Sequence, residues 1–227
     1  MKLNSTSSRI TLAILAVFLL VIVGSLIVGG DYTTKQTAEL SFTIEQDFTE
    51  VRKIMVRTNA AKEIVTMGGG SEFIEQQWEG GSVDTGAEKV GQAVLRNVLS
   101  SDPNWKLQLH GTLRVRTLDK YIGQAVVTLH QDVDIVPDEI LSEVKLQEGS
   151  ERLLEYAMTT RQFREEDHTR VDLRLTQQIR TEAPWFAHGI ADRRVHASAA
   201  RTLAAQEQAM RQLINDNADK AGLFPLH

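Results

Sequence analysis

Between Thr37 and Gln46 apolar and polar residues alternate: Ala38, Leu40, Phe42 and Ile44 share one face, and Glu39, Ser41, Thr43 and Glu45 the other. A period of two marks a strand with one buried face. Asp47-Phe48-Thr49-Glu50 follows, with a capping acid and a second acid three residues on, the start signal of a helix. Val51, Ile54 and Met55, then Ala61, Ile64 and Val65, give the apolar spacing of two short helices that stop at Gly68-Gly69-Gly70. Glu72–Glu79 reads as a second strand. Gly86–Leu99 has helical spacing at Val90, Ala93, Val94 and Leu99 and is stopped by Asp102-Pro103-Asn104.

Downstream the pattern is almost wholly of strands. Leu107, Leu109, Leu113 and Val115 alternate with polar residues, and Ile122–Val136 predicts a long partner. A turn near Asp119 would set Leu109 opposite Leu129 and Leu113 opposite Ala125. Pro137-Asp138 breaks the run, and a short strand is expected near Glu143–Gln147. Arg152–Arg164 and Thr169–Arg180 predict a hairpin turning at Glu165-Glu166-Asp167-His168. That register pairs Met158 with Leu175, Thr160 with Leu173 and Leu154 with Ile179 on one face, and Arg161 with Asp172 on the other.

Pro184 suits the first turn of a helix, where its missing N–H costs little. From there to about Asn217 the chain is rich in Ala, Arg, Gln and Leu, and Val195, Ala199, Leu203, Met210 and Leu213 form one apolar stripe. A helix of about 30 residues is ~45 Å long, enough to cross a sheet.

Strand, two short helices, six more strands and a long final helix is an arrangement with a family likeness. Phe42-Thr43-Ile44-Glu45-Gln46-Asp47-Phe48-Thr49-Glu50-Val51 resembles the opening strand and helix start of the START-like (SRPBCC) superfamily, which includes polyketide cyclase-like and birch-pollen-allergen-like proteins. Phe186-Ala187-His188-Gly189-Ile190-Ala191-Asp192-Arg193-Arg194-Val195, through Leu203, resembles its closing helix. The likeness spans about Ala38 to Ile214 and carries no catalytic signature. It implies an α+β helix-grip fold, a curved antiparallel sheet of about seven strands around the C-terminal helix, with an apolar cavity between them. Gly80–Ser101 is longer than the connection usual there, as a lid-like insertion would be.

Ahead of all this, Ile10 to Val28 is an unbroken apolar run with no charge and no proline. It would reach about 28 Å as a helix, close to the ~30 Å hydrocarbon core of a bilayer. A cleaved signal peptide has a shorter core and small residues at its cut site, whereas Val28 and Gly30 are a poor pair for cleavage. The expected organisation is a tail over 1–9, a transmembrane signal anchor over 10–29, a tether over 30–36, the START-like domain over 37–217 and a short tail over 218–227. Lys2 and Arg9 precede the run and Asp31 follows it, which keeps the N-terminus in the cytoplasm and sends the domain across the membrane.

The 227-residue chain has no cysteine, so its exported part does not depend on disulfides and an N-terminal cysteine cannot carry a lipid. Of its 25 Lys and Arg residues only Lys2 and Arg9 precede or lie in the apolar run, leaving 23 against 30 acids, a net charge of −7. That balance argues against a nucleic-acid partner.

Candidate ligand contacts are the residues that the registers turn inward: Leu109, Leu113, Leu129, Tyr156, Met158, Leu175, Leu203 and Met210, with Gln177 opposite Tyr156 and Gln131 and Gln162 on the same face. His130, Asp132 and Asp134 could ligate a metal by spacing alone, but the register turns them outward, near Lys106. His188 and His196 are eight residues apart, farther than the spacing of a zinc helix. No nucleophile-elbow, P-loop or dinucleotide motif occurs, and no cofactor is implied. Three functions remain open: a membrane-anchored module binding a lipid, quinone or isoprenoid-like molecule; a cyclase or dehydratase with Tyr156 as acid; and an envelope interaction domain whose hollow is filled by its own side chains.

Overall fold

The computed structural model describes residues 30–68, 70–83, 106–119 and 122–218. The expected membrane-spanning segment 10–29, the helical pattern within 86–99 and the tail from residue 219 on lie outside them. Among the described residues no helix is long and apolar enough to cross a membrane.

Seven antiparallel strands form one curved sheet in the order β1-β7-β6-β5-β4-β3-β2. They are β1 (Gly30–Ile44), β2 (Ser71–Val83), β3 (Leu107–Thr117), β4 (Val126–Val136), β5 (Glu139–Glu148), β6 (Leu153–Glu165) and β7 (His168–Ala183). Helices α1 (Phe48–Arg57) and α2 (Ala60–Met67) link β1 to β2, and α3 (His188–Ala218) closes the chain after a 3-10 turn at Trp185–Ala187. Every step of β2 to β7 joins neighbours, so only the first connection crosses the sheet. The two helices must span it, because their chain leaves at one edge and returns at the other.

Local chemistry explains the element ends. Asp47 caps α1 by accepting the Thr49 amide at 2.7 Å. Pro184, extended at φ −64°, caps the 3-10 turn, which runs directly into α3. The sequence stripe of α3 faces the sheet as expected, with Val195, Ala199, Leu203, Met210 and Leu213 all buried.

Four boundaries and registers differ from expectation. Residues 30–36 are not a tether: they are the first rungs of β1 and pair with 177–183 of β7, from Gly30↔Ala183 to Gln36↔Gln177. The inward face there continues as Tyr32, Thr34 and Gln36, and Thr34 is buried, so the alternation persists without apolar residues to reveal it. The β3–β4 loop is centred later than Asp119. Thr117 donates its hydroxyl to Gly123 O and its amide to Ala125 O, and Gly123 sits at φ +83°, a conformation that favours glycine. Leu113 therefore pairs with Leu129, and Leu109 with Val133. The slip is an even number of residues, so each side chain keeps its predicted face. At β5 the strand starts at Glu139, since Pro137-Asp138 is a two-residue hairpin turn and not a break. A bulge between Leu153 and Glu155 puts Leu153 opposite Ile179 and leaves Leu154 exposed. The Met158↔Leu175, Thr160↔Leu173 and Arg161↔Asp172 pairs are as predicted.

The core is unevenly distributed. Ala38, Phe42, Met158, Val171, Leu173 and Leu175 of β1, β6 and β7 pack with Ala199, Leu203, Met210, Leu213 and Ile214 of α3. Seven strands about 4.8 Å apart spread over roughly 29 Å between outer strand axes, whereas a helix with its side chains is ~10–12 Å across. One helix seated on β1 and β7 cannot cover the β3–β4 half.

Candidate functional site

That uncovered half is a cavity of about 1470 Å³. Its floor is the concave face of β3 to β6: Leu109, Leu113, Val115, Val127, Leu129, Ile135, Val144 and Met158. Its walls are Met55, Ala60 and Ile64 of α1 and α2 and Ser198, Thr202, Ala205, Gln206 and Met210 of α3. Exposed lining residues mark the rim: Asn59, Trp78, Glu79, Leu118 and Arg201.

Seven of the nine ligand contacts expected from sequence line this space: Leu109, Leu113, Leu129, Tyr156, Met158, Gln177 and Met210. Leu175 and Leu203 do not. They are 0% and 1% exposed and are consumed in the packing of α3 onto β7 and its neighbours. Both point inward as predicted, but the helix covers their part of the sheet.

The uncharged polar groups of the cavity lining are side-chain amides and hydroxyls. Gln131 and Gln162 are buried, and Gln131 Oε1 accepts from Gln76 Nε2 at 3.0 Å. Gln177 Nε2 donates to Val195 O at 3.0 Å, tying β7 to α3. Oε1 of Gln162 and Gln206, and of Gln76 outside the lining, are buried without a partner among the described residues. A buried amide oxygen left unpaired costs ~1–3 kcal/mol, so such atoms are uncommon and each needs an explanation. Gln206 and Ser198 were not singled out in the sequence. Gln206 was legible, though: it stands three residues after Leu203 and four before Met210, a polar residue in the apolar stripe.

Tyr156 is half-buried and lines the cavity. Burial among apolar neighbours pushes its phenol up to about 12. Its hydroxyl has the Met158 sulfur at 3.6 Å, a weak acceptor. The phenol thus stays protonated, with Gln177 opposite it on β7. The charged lining residues, Glu79, Asp119 and Arg201, belong to the mouth, where Asp119 accepts the Ser198 hydroxyl at 2.6 Å.

The outward histidine and aspartate face is built differently from expectation. His110, and not Lys106, partners Asp132, at 2.6 Å, and His130 lies 3.2 Å from the same oxygen. The His110 hydrogen bond holds the Asp132 carboxyl below the usual carboxylate range, partial burial opposing. Among the described residues no group of three or more His, Cys, Asp or Glu is placed to hold a metal ion.

No protein-family model matches the sequence, and no curated protein matches it either. Solved structures do resemble the fold. A protein of unknown function from Staphylococcus aureus aligns with 82% of this chain and 98% of its own at a TM-score of 0.50 and 9% identity. The Zhui aromatase/cyclase from Streptomyces aligns with 83% of this chain and 99% of its own, at a TM-score of 0.48 and 14% identity. Norcoclaurine synthase from Thalictrum flavum aligns with 82% of this chain and 98% of its own, at 0.45 and 13%. A seven-stranded antiparallel sheet gripping one long C-terminal helix defines the helix-grip class of α+β folds, and this chain has that fold.

Proposed function

We propose that this protein binds an amphipathic small molecule, with a broad apolar body and one or more hydroxyl or N–H groups, in the cavity between the sheet and α3. The carrying observation is a largely apolar space of about 1470 Å³ whose lining includes Gln162 and Gln206, each with a buried amide oxygen that has no partner among the described residues. That volume exceeds the ~300–1,000 Å³ of ordinary ligand pockets, which disfavours a hollow filled by its own side chains. With Arg201 at the rim the one cation among the described lining residues, amide acceptors favour a neutral donor over a carboxylate or phosphate. A hydroxylated isoprenoid, a quinol or a polycyclic phenol has that chemistry.

Binding is preferred over turnover. General acid catalysis needs a group poised near the working pH, and Tyr156 holds its proton too tightly for that role. We further propose that residues 10–29 anchor the chain in a membrane with the domain on the extracytoplasmic side. The support is the uncharged run of Ile10–Val28 and the flanking Lys2 and Arg9. Protease protection in intact cells, with N-terminal sequencing, tests the topology.

Native mass spectrometry of the full chain extracted in mild detergent tests the binding. The expected result is a co-purifying neutral molecule that Ala205→Trp, which fills the cavity from α3, excludes. A parent spectrum with no adduct, together with no uptake of a hydroxylated isoprenoid probe, would refute the proposal.

A further inference from the structure

The two most exposed large apolar side chains among the described residues are neighbours. Trp185 is 69% exposed and Phe186 58%, and Ile190, one turn into α3, is 44% exposed. Trp185 and Phe186 meet edge to face with ring centroids 5.9 Å apart, so they present one apolar knob. Arg193 and Arg194 follow three and four residues after Ile190, on the same side of the helix, both exposed and in no ion pair among the described residues. The single acid in this stretch, Asp192, accepts the Tyr32 hydroxyl at 2.9 Å and is turned to β1. Asp31 and Glu182 lie nearby on the strands and not on this helix turn.

The position of the knob in the fold supplies its partner. Gly30 pairs with Ala183, so β1 begins two residues before Trp185 in the paired strand's numbering. The apolar run ends at Val28, two residues before Gly30. Residues 30–36 are strand, so no slack separates the run from the sheet. Aromatic side chains favour the headgroup boundary of a bilayer, and arginines beside them favour anionic headgroups.

We infer that Trp185, Phe186 and Ile190, with Arg193 and Arg194, form a second membrane contact that seats the start of α3 in the interfacial layer of the bilayer holding residues 10–29. This rests on the anchoring proposed above. The contact fixes which way the domain stands. The β6–β7 turn at Glu166 is the end remote from the membrane, since β7 runs from His168 to Ala183. Arg201, on the cavity rim, is 11 residues along α3 from Ile190, about 16 Å, so the mouth opens within a lipid's length of the surface.

Site-directed spin labelling of the full chain in vesicles tests this, because a chain without cysteine takes one label per introduced Cys. Labels go at Phe186→Cys, independently at Ile190→Cys, and at Asp167→Cys as the remote control. In phosphatidylcholine–phosphatidylglycerol vesicles, labels at 186 and 190 are expected to meet lipid-dissolved oxygen more than a water-soluble nickel chelate, and the label at 167 the reverse. Arg193→Glu/Arg194→Glu in the Phe186→Cys background should move that label toward the chelate. If labels at 186 and 190 are as open to the chelate as the label at 167, while the chain resists a carbonate wash, the second contact is refuted and the anchor stands. A chain that the wash releases overturns the anchor and this inference together.

Discussion

Tyr32 lies flat on His188, with ring centroids 3.7 Å apart and planes 9° from parallel. Its hydroxyl reaches one turn further along α3 to Asp192. Two residues of one helix are thus held by the third residue of β1, on a stretch that sequence reading treats as a tether. Tyr32→Ala is expected to lower the melting temperature and to speed hydrogen exchange at the start of α3 more than at its C-terminal half. Equal exchange along the helix would show that the clamp does not organise it.

Asp192 makes that clamp pH-dependent. Hydrogen bonds from Thr34 and then Tyr32 hold its carboxyl below its ordinary value of 3.8. A carboxyl lowered in the folded state stabilises fully above its unfolded value, and the contribution fades as the pH falls through the folded one. The melting-temperature gap between the parent and Asp192→Asn should therefore be widest near pH 7 and shrink below about pH 4. A gap that widens on acidification would contradict the assignment.

Tyr156→Phe should leave stability nearly unchanged, within about 1 kcal/mol, because the hydroxyl gives up only a weak bond to sulfur. In a spectrophotometric titration the parent should show one phenol, absent from the variant, that ionises only near pH 12. A Tyr156 phenol titrating near pH 10 would mean that water reaches it freely.

Gln162→Leu separates folding from binding. It removes an amide oxygen that is buried without a partner, so the ligand-free protein should be as stable as the parent or up to ~1 kcal/mol more stable. Retention of a hydroxylated probe should fall. Unchanged retention by Gln162→Leu and by Gln206→Leu would remove the amides from recognition.

Gly111→Ala tests the β2–β3 edge beside the cavity. A Cβ there would stand 2.4 Å from Gln77 O and 2.9 Å from Trp78 Cε3. The backbone oxygen cannot yield as a side-chain tip can, so a loss of ~1–3 kcal/mol is expected by chemical denaturation. A neutral result would mean that β2 shifts freely on β3.

The order of elements, the inward faces and the stripe of α3 followed from the sequence alone. A period of two or 3.6 is a local property, fixed by which face of each element must leave water. The β6–β7 register was also legible, because both faces of that hairpin agree on one alignment. Where polar residues sit on the inward face, as at Thr34 and Gln36, the period vanishes from view although the backbone keeps it. The cavity was a matter of tertiary structure. Leu129 and Leu175 read alike as inward leucines, yet one lines the hollow and the other lies under α3. Only the seating of one narrow helix on the β1–β7 side of a wide sheet decides which inward residues become core and which stay open to a ligand.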